Sequence, residues 1–174
     1  MSSVLKTYGT DTGFTYEELR PTAALLLLAG SETTATTLSA ALYFLCMNPK
    51  ILQSLTAEIR ATFSSDASIT IIAAGQIKSL LAVLDETMRM LPPVPSGDFT
   101  RVTGESGNVI AGKFVPPHTI VSIKQWAANH SSLNFHDPDV YDPQRWLGDP
   151  KYQNDKRKGV QPFSVGPRAC LGRK

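Results

Sequence analysis

At 174 residues, 42% of them hydrophobic and 18% charged, the chain has the composition of one globular domain; folding at this size buries roughly 70% of the unfolded chain's surface. A formal net charge of +2 without a basic stripe excludes a nucleic-acid binder, and two cysteines, Cys46 and Cys170, are too few for a disulfide framework and point to a reducing compartment. Residues 1–12 lack the basic-then-apolar order of a signal peptide, so no secretion is expected.

Thr15 and Glu18 have capping-box spacing and Phe14 and Leu19 that of a hydrophobic staple, which predicts a helix over residues 14–47. Pro21 should distort its first turns, because it removes a backbone donor. The apolar run Ala23 to Ala29 is far short of the ~20 residues that span a bilayer, and Ser31, Glu32, Thr33 and Thr34 follow it at once. It reads as a buried helix, and no membrane segment is expected. Asn48-Pro49 stops this helix and starts an amphipathic one over 49–63, with Ile51, Leu52, Leu55, Ile59 and Phe63 at helical spacing.

Residues 64–74 fit either a strand or a buried turn of helix. Over 75–91, Ile77, Leu80, Leu81, Leu84, Met88 and Leu91 form a helical stripe that Pro92-Pro93 ends. After a proline-rich linker, β-type runs at 99–103, 109–115 and 119–123 predict a small antiparallel sheet. Residues 124–174 are loop-rich, without periodicity or repeats. The fold class is mainly α with a small antiparallel β-sheet.

Three constellations carry chemistry. The run Phe163-Ser-Val-Gly166-Pro-Arg168-Ala-Cys170-Leu-Gly172 sets one cysteine among glycines and beside an arginine. A thiolate ligand needs a cation or a metal to favour its charged form, and glycines let backbone approach a flat cofactor. Cys46, on an apolar helix flank, is expected only to pack. The run Ala29-Gly30-Ser31-Glu32-Thr33-Thr34 breaks helix propensity in mid-helix, with a glycine that costs about 1 kcal/mol against alanine, stiff threonines and a lone charge. Such local violations concentrate at functional sites. Glu86 and Arg89, at i and i+3, are open to two readings. They are an exposed pair worth ~0.2–0.5 kcal/mol, or, since Ala82, Val83 and Met90 share their side of the helix, a buried pair that must be fully hydrogen-bonded.

Together these runs resemble the haem-thiolate monooxygenases, the cytochromes P450, and specifically their fungal microsomal branch. Phe-x-x-Gly-x-Arg-x-Cys-x-Gly matches that family's cysteine signature at every fixed position, Ala-Gly-x-Asp/Glu-Thr-Thr its oxygen-binding motif, and Glu-x-x-Arg its structural motif. The resemblance implies a partial P450 fold over 1–174: an oxygen-binding helix at 14–47, following helices at 49–91, a small sheet at 99–123, and a loop region at 124–174 that holds the cysteine. It implies haem b, with iron held by Cys170, the loop Phe163, Gly166, Arg168 and Gly172 around it, and Arg168 on a propionate. Arg101 resembles a second propionate ligand. Glu32 and Thr33 become the acid–alcohol pair that relays protons, with Gly30 leaving room for dioxygen.

The same resemblance makes Arg145, in Tyr141-Asp142-Pro143-Gln144-Arg145-Trp146, the partner of Glu86 and Arg89. Gln144 departs from the family's usual glutamate, which should weaken any further salt bridge. The implied activity is insertion of one atom of O₂ into a lipophilic small molecule, with NADPH electrons delivered by NADPH-cytochrome P450 reductase at the endoplasmic reticulum membrane, on its cytosolic face. Lys151, Lys156, Arg157 and Lys158 are the expected reductase-docking cluster. The chain corresponds to the family's C-terminal haem-binding portion, so turnover by it alone is not expected. The alternatives are an inactive truncated product and a haem-free helical interaction module.

Overall fold

The computed structural model of the chain describes residues 13–95 and 99–173. Helix α1 (Tyr16–Met47) opens on the expected capping box, with Thr15 Oγ1 accepting from Glu18 N at 3.3 Å and Thr15 N donating to Glu18 Oε2 at 2.9 Å. The helix runs unbroken through Pro21. That proline lies in the second turn, where the freed carbonyl is exposed and water can bind it. Helix α2 (Pro49–Thr62) begins on its proline, as expected.

The undecided stretch 64–74 is neither a strand nor buried: it folds as a 3₁₀ turn (Asp66–Ser68) and a one-turn helix α3 (Ile71–Ala74), with Ile71 and Ile72 exposed. Two hydroxyls direct it, since Thr70 accepts from Ala73 N and Ser68 donates to Ser65 O. Helix α4 (Lys78–Met90) follows. A small apolar cluster of Leu45, Leu55 and Val83, extended by Ile51, Ile59 and Leu80, joins α1, α2 and α4.

The β-type runs form two separate two-stranded ladders instead of one sheet. Strand β1 (Arg101–Val102) pairs antiparallel with β4 (Ile120–Val121), and β2 (Asn108–Ile110) with β3 (Lys113–Val115). The single run expected at 109–115 is thus a hairpin, turned at Ala111-Gly112 with φ of 49° and 77°. Gly107 is required beside it, because at φ +72° an added Cβ would lie 2.6 Å from Val115 O. Beyond β4 come the short helices α5 (Gln125–Asn129) and α6 (Gln144–Leu147) and three 3₁₀ turns, at Pro150–Tyr152, Arg157–Gly159 and Leu171–Arg173.

Two burial expectations are overturned. The run Ala23 to Ala29 is helical but exposed, with Leu25 to Leu28 between 57% and 72% accessible. Four successive leucines point around the whole circumference of a helix, so α1 is bare on all sides at that level. Among the described residues the short elements lie along only its C-terminal half, where Ala40, Ala41 and Leu45 are buried. By length and composition alone α1 could cross a membrane, with 32 residues and an 18-residue window of mean hydropathy 1.2. Cys46, expected to pack, is also exposed: it lies in the covered half of α1 but about 100° around the helix from the buried Leu45.

Candidate functional site

The most deeply buried side chains are not the leucines of α4 but its polar face. Ala82, Val83, Glu86, Thr87 and Arg89 are buried, whereas Leu81 is 43% exposed. The Glu86 carboxylate, wholly buried, accepts from Arg89 Nε and Nη2 at 2.9 Å each, Arg145 Nε at 3.3 Å, Trp146 Nε1 at 2.9 Å and Asp142 N at 3.0 Å. Five donors on one carboxylate decide the question left open for this pair: it is buried and fully hydrogen-bonded. Arg89 spends its remaining donors on the carbonyls of Asn129 (2.9 Å), Pro138 (2.7 Å) and Val140 (3.2 Å), and Asn129 Nδ2 returns a bond to Arg89 O at 3.0 Å.

Arg145, also wholly buried, enters from α6, with its guanidinium 4.1 Å from the centre of the Tyr152 ring. It donates to the carbonyls of His136 and Asp137 and forms an ion pair with Asp155, whose side chain is only 2% exposed. Gln144 is exposed, so a carboxylate there would face water, and the further salt bridge comes from Asp155 instead. Sequence reasoning missed Asp155 and the indole of Trp146. The available signal was a lone acid immediately before the basic run Lys156-Arg157-Lys158.

Beside this network Tyr141 stacks on Phe44 at 4.7 Å, its hydroxyl 3.1 Å from both Thr87 Oγ1 and Val83 O. Burial pushes the phenol up to about 12, opposed by the Thr87 hydrogen bond and reinforced by the Glu86 charge. The folded state therefore holds this proton more tightly than the unfolded one. Stability from it is complete below pH 10 and is lost as pH rises from 10 towards 12. Tyr141→Phe should flatten that part of the alkaline decline, checked by denaturant unfolding at pH 8.5 and 11, each taken at about constant ionic strength. An unchanged decline would show that Tyr141 does not titrate there.

The cysteine loop leaves the 3₁₀ turn at 157–159 and doubles back through two left-handed residues, Ser164 (φ 59°) and Gly166 (φ 81°). Cys170 N then donates to Phe163 O at 2.8 Å and Ala169 N to Gly166 O at 3.0 Å, which presents the Cys170 thiol outward. An added Cβ on Gly166 would meet nothing within 4 Å, and Arg168 is exposed with no partner among the described residues. The donor set suits a flat, largely apolar iron macrocycle bearing carboxylates: one open thiol, a free guanidinium, the half-buried Phe163 and the exposed Val165 and Leu171. Arg101 is exposed on β1, with Nη1 donating to Thr100 O at 2.8 Å.

In α1 the second motif stays helical. Ser31, Thr33 and Thr34 donate to the carbonyls of Leu27, Ala29 and Gly30 at 2.6–2.9 Å, so the hydroxyls are satisfied without a break in the helix. Gly30 has nothing within 4 Å of an added Cβ, and the exposed Glu32 carboxylate has no partner among the described residues. Of the basic cluster, Lys151 pairs with Asp137 at 3.0 Å, Lys156 Nζ donates to Asn134 Oδ1 at 3.2 Å and Arg157 Nη1 to Arg145 O at 2.7 Å. Only the Lys158 ammonium is without a partner among the described residues.

The sequence model of the cytochrome P450 family matches residues 1–174. The chain is 47% identical over 173 residues to the cytochrome P450 monooxygenase astA of Talaromyces wortmannii, covering 99% of this chain and 35% of that protein. It is 44% identical over 168 residues to the trichothecene C-15 hydroxylase of Fusarium sporotrichioides, covering 97% and 34%. A solved zebrafish cytochrome P450 with progesterone superposes with a TM-score of 0.76 at 29% identity, over 95% of this chain and 36% of that one. The chain spans about a third of the length of the curated relatives it matches. With this match along its whole length, and the buried glutamate–arginine network and cysteine loop in one fold, the chain belongs to the cytochrome P450 family.

Proposed function

We propose that the chain forms the thiolate side and oxygen-binding helix of a haem monooxygenase that acts on a lipophilic small molecule. When bound, haem b would supply the iron chemistry that splits O₂, one atom entering the substrate and the other leaving as water, with two electrons from NADPH through a reductase. Cys170 would hold the iron as thiolate. Arg168 and Arg101 would pair with the cofactor's carboxylates, Gly30 would leave room above it, and Glu32 and Thr33 would pass protons inward from water. Docking of the reductase would rest on Lys156 and Lys158 more than on Arg157, whose guanidinium serves the fold. The intact protein would work at the cytosolic face of the endoplasmic reticulum membrane.

The observation that carries this reading is the outward thiol of Cys170 on a doubly left-handed loop beside a free arginine. The bare circumference of α1 fits it as well. Glu32 and the threonines occupy the middle of that helix, where a bilayer is driest and one charge costs about 2.5–3.5 kcal/mol, so the leucines suit packing against protein better than lipid.

The haem-loaded protein, reduced under carbon monoxide, should show a thiolate-type Soret band that Cys46→Ala keeps and Cys170→Ala abolishes. Survival of that band in Cys170→Ala would refute the assignment.

A further inference from the structure

The Glu86, Arg89 and Arg145 side chains alone would bury two guanidinium charges against one carboxylate. All three are 0% exposed, and a net charge at that depth is strongly disfavoured. Asp155, 2% exposed, is the fourth member that brings the buried set to neutrality. Its Oδ1 also accepts from His136 N at 2.8 Å, so both carboxylate oxygens are engaged and its own position is determined.

From there a line of hydrogen bonds leads to the cysteine. Arg157, two residues beyond Asp155, donates Nη1 to the backbone carbonyl of Arg145 at 2.7 Å, and Arg157 O accepts from Val160 N at 3.1 Å. The next residue, Gln161, has its carbonyl fixed by Gln125 Nε2 at 3.0 Å and by Ser164 N at 2.9 Å. Phe163 O then receives Cys170 N at 2.8 Å. Each link is a hydrogen bond or a step along the chain, and a second tie runs through α5, whose Gln125 holds Gln161 O while its Asn129 exchanges bonds with Arg89.

We propose that Asp155 and Arg157 are positioning residues for the cysteine loop: Asp155 neutralises and orients Arg145, and Arg157 transmits that position to the backbone that presents Cys170. This rests on the haem-thiolate reading and adds to it a pair of residues outside the cysteine signature. An alternative arrangement, in which Asp155 only stabilises the fold, would lower global stability without selectively loosening the thiolate.

The test uses the haem-loaded protein, with two readouts: the lifetime of the thiolate-type ferrous–CO band, and the unfolding midpoint followed by helical signal. Asp155→Asn and Arg157→Gln should each shorten the band lifetime roughly tenfold under conditions where the helical signal is unchanged, while Asp155→Glu recovers much of the loss. The double variant should be no worse than the poorer single one, because both act on the same line. Arg157→Gln keeps the test open if Asp155→Asn fails to fold, since it leaves the buried charges intact. Lifetimes equal to the parent's, or shortened only in step with the unfolding midpoint, or additive in the double variant, would overturn the proposal. A parent protein without the thiolate band sinks the haem-thiolate reading itself and this inference with it; a parent with the band and unaffected variants sinks this inference alone.

Discussion

Glu86→Gln should unfold the protein under conditions where the parent is native. The carboxylate takes five donors with no water contact, and two of the donor groups are guanidinium ions. A glutamine offers one acceptor oxygen and turns an NH₂ towards groups that are themselves donors. Breaking a buried ion pair by removing one partner costs about 3–5 kcal/mol, and each further orphaned donor adds about 1–3 kcal/mol. Against a total stability of about 5–15 kcal/mol this leaves little or no folded population. Denaturant unfolding followed by circular dichroism is the measurement, with Glu86→Asp as a control that keeps the charge but shortens its reach. A glutamine variant as stable as the parent would mean that the network does not hold the fold.

The second large effect is expected in chemistry and not in stability. In a full-length, haem-loaded enzyme carrying this sequence Thr33→Ala should lower product formed per O₂ consumed by roughly a hundredfold, with O₂ diverted to peroxide, the range in which a positioned proton donor acts. Thr33 donates to Ala29 O at 2.6 Å within an unbroken helix, and alanine is the better helix former, so the fold should be barely affected. The Thr33 proton is directed at Ala29 O and its lone pairs face outward, so the proposed relay would have the hydroxyl accept a proton from solvent and rotate its own off the carbonyl to pass it on. Thr33→Ser, which keeps the hydroxyl, should restore coupling. Unchanged coupling in the alanine variant, with an unchanged ferrous–CO spectrum, would remove Glu32 and Thr33 from the proton relay.

Both variants probe residues whose identity was legible in the amino-acid sequence and whose surroundings were not. The helices at 16–47, 49–62 and 78–90, the threonine and proline starts of the first two, and the composition of the cysteine loop follow from local chemistry, since capping, periodicity and proline act over a few residues. The family followed from the spacing of its motifs. Tertiary structure alone decided which face of α4 is buried. Helical periodicity marks the leucine stripe as the inner face, yet Glu86 and Arg89 go deeper, because donors from residues 142–146 converge on Glu86 and the carbonyls of Asn129 and Pro138 accept from Arg89, and local pattern carries no record of so distant a partner.

The same limit hid Asp155, which reads as one acid among bases until folding brings it onto Arg145. It also hid the hairpin at 108–115, where a seven-residue β-type run turns on Ala111-Gly112. Conversely, the leucines of 25–28 read as core, because hydrophobicity in a sequence announces a need for cover. Whether cover is present depends on which other elements reach that level of the helix, and those among the described residues lie only along its C-terminal half.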